Sequence, residues 1–198
     1  MNVRLQLELD FMAGCYFENQ LHINQYNVSL SLLTQTNDAK ATNISVDRIK
    51  AFIYGELADT VFFGPQQSEL IEMFTMLGIN ATTLPEEPIA QIIGIMLYCK
   101  LNAIMEGRVV VTELDIQSKL GDEVWYLHSE DDALGPFSRD GWWHEANCKH
   151  FDFETPPDDK VVKVISAGWT EYNLEWPDIH PQSGNTVVVA NFQRDENK

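Results

Sequence analysis

Residues 3 to 11 alternate without a break, with Val3, Leu5, Leu7, Leu9 and Phe11 apolar and Arg4, Gln6, Glu8 and Asp10 polar between them. A period of two is that of an extended strand with one face buried. The pattern returns at residues 26 to 32, where Tyr26, Val28, Leu30 and Leu32 face one way and Asn27, Ser29 and Ser31 the other. This predicts an antiparallel neighbour, wet on one side. The polar run TQTNDAKATN then reads as a loop, after which Ser45 is placed to cap a helix carrying Val46, Ile49, Phe52, Ile53 and Leu57 and ending near Asp59. A second helix is predicted from Ser68 to Leu77, closed by Gly78, and a third from Pro88 to Gly107 with Ile89, Ile92, Ile93, Met96, Leu97 and Ile104 at helical spacing. Val109, Val110 and Val111 open a third strand through Asp115, and residues 124 to 127 (VWYL) a fourth.

The order strand, strand, helices, strand, strand implies an α+β domain over residues 1–127, with a four-stranded antiparallel sheet and helices on one face. From residue 128 to 198 the texture changes to acids, Gly, Pro and four of the five tryptophans, with strand-like runs at 161–166 (VVKVIS) and 186–192 (TVVVANF). We read this part as a β-rich extension, its tryptophans forming a small core or a seam against the sheet.

Charge narrows the choice of partners. Thirty acidic residues against thirteen basic ones give a formal charge of −17, which repels phosphate backbones and disfavours nucleic-acid binding. The acids are dispersed, as on a solvated surface, and the same charge suits a basic protein partner. No apolar run reaches the roughly 18 residues needed to cross a bilayer, and the amino terminus alternates where a signal peptide would be apolar. A cytoplasmic, soluble protein is therefore expected. Cys15, Cys99 and Cys148 are odd in number and unpaired in spacing, which predicts free thiols.

Two short motifs carry a resemblance. At the end of the first strand the chain reads FMAGC (residues 11–15), and at the start of the second HINQY (residues 22–26). With the element order, these resemble the tunnelling fold of the 6-pyruvoyl- and 6-carboxy-tetrahydropterin synthase family, in which Phe-x-Ala-x-His and His-x-His hold a catalytic zinc. The resemblance places Cys15, His22 and Asn24 at the three ligand positions, so that only one histidine is kept. Cysteine binds zinc once deprotonated, whereas a neutral amide is a poor ligand. The resemblance further implies Glu18 as a proton-abstracting base, Asp59 in place of the family's catalytic aspartate, with Thr60 where a histidine follows it, and Glu113 in TELD as the anchor for a pterin's amino and ring nitrogens. The family's Pro-Thr-x-Glu at the third helix becomes PIAQ (residues 88–91). A homo-oligomer joined through sheet edges, and a lyase-like activity if catalysis is retained, belong to the same implication.

Two other clusters compete for attention. His144, Cys148 and His150 fall within seven residues and could hold a metal if Asp152 or Glu154 completed the set. Trp125, Tyr126, Gly135, Pro136 and Phe137 resemble the aromatic contact set of modules that bind proline-rich peptides, although a core role for the first two explains them better. Two functional classes follow: a divergent pterin- or purine-binding protein anchored on Glu113, or a non-catalytic acidic scaffold that keeps the fold and binds a protein partner.

Overall fold

The computed structural model describes residues 3–121, 124–148 and 168–177. Strands β1 (Arg4–Phe17) and β2 (Gln20–Thr34) form one long antiparallel hairpin, longer than their alternation alone marks out. Helix α1 (Ala39–Ala51) continues as a π-helical turn (Phe52–Leu57), and β3 (Val61–Phe63), α2 (Ser68–Met76), β4 (Ala81–Thr83) and α3 (Ala90–Met105) follow. Strands β5 (Val109–Ser118) and β6 (Trp125–Ser129) complete a six-stranded sheet in the order β4-β3-β1-β2-β5-β6.

The sheet corrects the four-stranded antiparallel expectation. β3 and β4 run parallel to β1, so the sheet is mixed. Each is three residues long, too short for a period to register, and VFF is buried throughout and so reads as a fragment of helix core. What seats β3 is backbone pairing at the hairpin's tip: Gly14 N–H donates to Thr60 O at 2.7 Å and Asp59 N–H to Met12 O at 2.9 Å.

Helix α1 begins earlier than the apolar spacing suggests. Asp38, not Ser45, is the cap, its carboxylate accepting the Lys40 N–H at 2.8 Å, while Ser45 is inside the helix and donates to Ala41 O. Asp at an N-cap satisfies an otherwise orphaned donor, so the polar stretch before Val46 can be helical without an apolar stripe. α3 packs across the sheet and is buried along most of its length. Its closest approach is at Gly94, where an added Cβ would stand 2.7 Å from Ile116 Cγ2. Only glycine lets the helix and β5 meet there.

In β5 the apolar positions change parity. Val109 and Val111 are buried, and so are Leu114, Ile116 and Ser118, because a bulge opposite Ser31 and Leu32 inserts one residue. The bulge turns Glu113, Asp115 and Gln117 to the outer, helix-free face of the sheet. Beyond β6, single 3₁₀ turns at Gly135–Ser138 and Trp142–His144 bring Phe137, Trp142, Trp143 and Cys148 into the same apolar cluster as α3, and Trp169 joins it. The strand-like runs at 161–166 and 186–192 lie outside the described residues.

Candidate functional site

The tip of the β1–β2 hairpin brings the three proposed ligand positions together on one face. Cys15 pairs with His22, Ala13 with Asn24 and Phe11 with Tyr26 across the ladder. Directly opposed residues share a face, so all of these side chains are directed to the helix side of the sheet. Cys15, Asn24 and Tyr26 are buried, whereas His22 is half-buried with its ring 4.6 Å from that of Phe17.

The chemistry of this cluster differs from that of a prepared metal site. Burial raises the pKa of the Cys15 thiol, against a smaller opposing effect of the Tyr26 hydroxyl, so the thiolate is disfavoured. Asn24 Oδ1 accepts the Leu120 N–H at 3.2 Å, so the amide oxygen is engaged in holding the turn after β5. Tyr26 Oη lies beside Cys15 and Asn24 yet makes no hydrogen bond of good geometry, and burial, with Cys15 next to it, drives its pKa far up. Among the described residues no group of three or more His, Cys, Asp and Glu side chains is placed to hold a metal ion. As placed, these donors fit zinc poorly: one imidazole is ready, one thiol must first lose a proton, and the amide is occupied.

The three carboxylates that the resemblance singles out are exposed, unlike Cys15, Asn24 and Tyr26. Glu18 and Asn19 form the two-residue hairpin turn with φ of 50° and 60°, both left-handed, as a type I′ turn requires. Glu18 is exposed there. Asp59, also left-handed at φ 64°, is exposed where the π-helical turn hands over to β3. Glu113 is exposed on the outer face, where its carboxylate accepts from Ser31 Oγ at 3.2 Å. Beside it on the same face, Asp115 has its pKa raised by partial burial and then by the charge of Glu113.

Of the two competing clusters, the first is described only at His144 and Cys148, and the second is divided between two surfaces. His144 is exposed, its Nε2 within 2.6 Å of Phe137 O, while Cys148 is fully buried, and His150 lies outside the described residues. Phe137 is buried edge-on against Trp143, and Trp125 borders a concavity with Glu8, Asp10 and Asn27, whereas Gly135 and Pro136 border another with Pro85, Glu86 and Arg139. Two concavities on different surfaces do not make one peptide groove.

Two buried cations escaped the sequence reading. Lys100 is fully buried, and its ammonium donates to Trp142 O (3.0 Å), Glu145 O (2.8 Å) and Asn147 Oδ1 (3.4 Å). Burial lowers its pKa to about 8, with Glu145, Cys148 and Glu56 opposing. Arg48 donates to Ile104 O, Leu174 O and Glu106 Oε1, each at 2.9 Å, and lies against the rings of Trp169 and Trp176. The signal was present: both residues occupy core-facing positions of their helices, Arg48 beside Ser45 and Ile49 and Lys100 between Met96 and Ile104. A cation there must find acceptors: the segment after residue 140 supplies all those of Lys100, and Leu174 O joins Ile104 O and Glu106 Oε1 at Arg48.

No family model and no curated protein matches the chain. Among solved structures, an uncharacterised protein of Wolinella succinogenes is similar over 66% of this chain and 99% of its own length, with 14% identity and a TM-score of 0.50. The 6-pyruvoyltetrahydropterin synthase of Plasmodium vivax is similar over 65% of this chain and 97% of its own, at 12% identity and a TM-score of 0.42. A catalytic-residue mutant of the same enzyme gives the same values. The first likeness is one of fold, and the second is too distant for its activity to be carried across.

Proposed function

We propose that this chain is a non-catalytic binding protein built on a tunnelling-fold-like α+β frame, acting through its acidic surface on a protein partner. One observation carries the reading: the cluster at the hairpin tip is largely buried, whereas the three carboxylates are exposed. A general base works best where burial raises its pKa toward neutrality, and Glu18, Asp59 and Glu113 are all exposed. In this reading Cys15 and Asn24 serve packing and the turn at Leu120. A homo-oligomer joined along β4 and β6, the edges of the described sheet, is part of the same proposal, since unpaired strand edges favour such pairing.

A second reading rests on Glu113 and Asp115, two carboxylates on one sheet face, where partial burial and then the charge of Glu113 raise the pKa of Asp115. In an assembled oligomer they would anchor the amino and ring nitrogens of a pterin or purine. One experiment separates the two readings: zinc content of protein purified without added metal, with thermal stabilisation by a panel of pterins and purines. The scaffold reading expects sub-stoichiometric zinc and no shift. A ligand at a hundred times its Kd adds about 2.7 kcal/mol, so binding would be plain to see. A shift that Glu113→Gln abolishes would replace the scaffold reading with the second.

A further inference from the structure

Helix α2 is unlike the other two. It has no buried residue, and its carboxy-terminal end leaves Met73, Met76, Leu77 and Ile79 exposed, Met76 by 76% and Leu77 by 68%. Only Leu70, Ile71 and Phe74 turn inward, onto a small cluster of Val61, Phe63 and Ala81. The exposed patch is nonetheless fixed in shape. Gly78, at φ 74°, donates to Thr75 O, and Ile79 N–H to Phe74 O, both at 3.0 Å. This pair of bonds closes the helix with a left-handed residue and holds Ile79 against its last turn.

The stretch of chain that carries the patch is one-sided in charge. Between Lys50 and Lys100 the chain has no Lys, Arg or His, and six acids: Glu56, Asp59, Glu69, Glu72, Glu86 and Glu87. Glu69 and Glu72 stand exposed on α2 itself. Arg139 borders Pro85 and Glu86, at the end of β4 remote from Ile79. A second copy of this face would set Glu69 and Glu72 against their own counterparts, and an anionic lipid surface would be repelled likewise. A partner with cations flanking apolar anchors meets both features of the patch. Methionine side chains are unbranched and adaptable, which suits them to receive such anchors.

We infer that the α2 face, Met73, Met76, Leu77 and Ile79 rimmed by Glu69 and Glu72, is the docking site for a cationic amphipathic helix of a partner protein. The inference rests on the scaffold reading and names its surface. Recognition would take the helix-in-groove form, with apolar anchors seated on the methionines and lysines or arginines over the rim.

The test is fluorescence anisotropy with a labelled synthetic helix made only of leucine and lysine at amphipathic spacing, at near-physiological salt. Saturable one-to-one binding is expected, weakened about tenfold or more by Met76→Ser with Leu77→Ser, which changes no charge. Glu69→Gln with Glu72→Gln should weaken binding and flatten its salt dependence. Glu8→Gln with Asp10→Asn, on the outer sheet face, should leave it unchanged. Equal loss in that sheet variant would reduce the effect to diffuse charge attraction, and full binding by the serine variant would remove the site. A serine variant that instead dissociates a dimer in light scattering would make a second copy the occupant, and patch-dependent pelleting with phosphatidylcholine vesicles would make it a membrane. Each of these overturns the proposal. Because α2 has no buried residue, the variants keep the core, which near-ultraviolet circular dichroism checks. The zinc and heterocycle measurements test the parent reading separately, since neither involves α2.

Discussion

Two of the places where the molecule buries polar chemistry are treated differently. At the helical flank, Arg48 and Lys100 each have three oxygen acceptors, drawn from carbonyls, a carboxylate and an amide, and aromatic rings lie against both cations. At the hairpin tip, Cys15 is a buried thiol and Tyr26 a buried hydroxyl with no bond of good geometry. A buried cation without acceptors would cost more than a domain's margin of stability, so its partners are compulsory. A neutral hydroxyl or thiol can be left wanting at a cost of only about 1–3 kcal/mol. The first place is therefore where the fold is fastened, and the second where a polar group is left without a partner at modest cost.

The comparison breaks most easily at Arg48. Arg48→Met leaves the carbonyls of Ile104 and Leu174 without this donor, removes one partner of Glu106, which keeps the Trp176 N–H and Arg108, and uncovers one face of Trp169 and Trp176. Truncating one member of a buried charge pair costs about 3–5 kcal/mol, and that loss should appear in urea unfolding. Proteolysis should reach residues 168–177 first, because their attachment is what the guanidinium holds. A loss below about 1 kcal/mol would show that the tryptophans pack without their cation.

Lys100 gives a smaller effect with a pH signature. Lys100→Met fits the volume but deprives Trp142 O and Glu145 O of their donor, for a loss of about 2–3 kcal/mol near pH 7.5. The folded pKa, about 8, lies below the unfolded value near 10.5, so between those limits the unfolded chain binds more protons. The lysine's contribution thus grows as pH rises through that window, by roughly 3 kcal/mol at most. Cys15, Cys99, Tyr26 and Tyr172, whose pKa values burial raises, act in the opposite sense over the alkaline range. Their effect cancels in the difference between wild type and variant, which should therefore widen from pH 8 to pH 10. A constant difference would mean that the ammonium is hydrated, not buried.

The same contrast explains what could be read from the sequence. Long alternation marked β1 and β2, and the 3.6-residue spacing marked α3, because each buries a continuous stripe against one core. β3 and β4 were illegible, β3 being held by pairing with the hairpin tip and β4 by pairing with β3, which no local pattern announces. The outward turn of Glu113 was legible in principle, since Val111 and Leu114 cannot share a face of a regular strand. The motif positions Cys15, His22 and Asn24 were brought to one face by register, but their protonation and bonding depend on Leu120 and Tyr26, which spacing does not reveal. Arg48 and Lys100 went unread for the reverse reason: their acceptors are up to 126 residues away.

Tyr26 offers the smallest effect and the sharpest contrast. Its ring is a core element, 5.1 Å from that of Phe11 and edge-on to Phe62, so truncation to alanine would open a cavity and say nothing about the hydroxyl. Tyr26→Phe keeps the ring and removes only the oxygen. If that oxygen is unsatisfied, its loss relieves a desolvation cost, and stability should stay within about 1 kcal/mol of wild type or rise. The sign is then opposite to that at Arg48 and Lys100, although all three are buried polar groups on core-facing positions. Removing the hydroxyl also takes away the group that lowers the Cys15 pKa, so alkylation of that thiol by iodoacetamide at mildly alkaline pH should slow in the folded variant. A destabilisation of about 2 kcal/mol would mean that Tyr26 Oη makes a strong bond, to Asn24, Cys15 or a buried water. The hairpin tip would then be as fully satisfied as the cation-fastened flank.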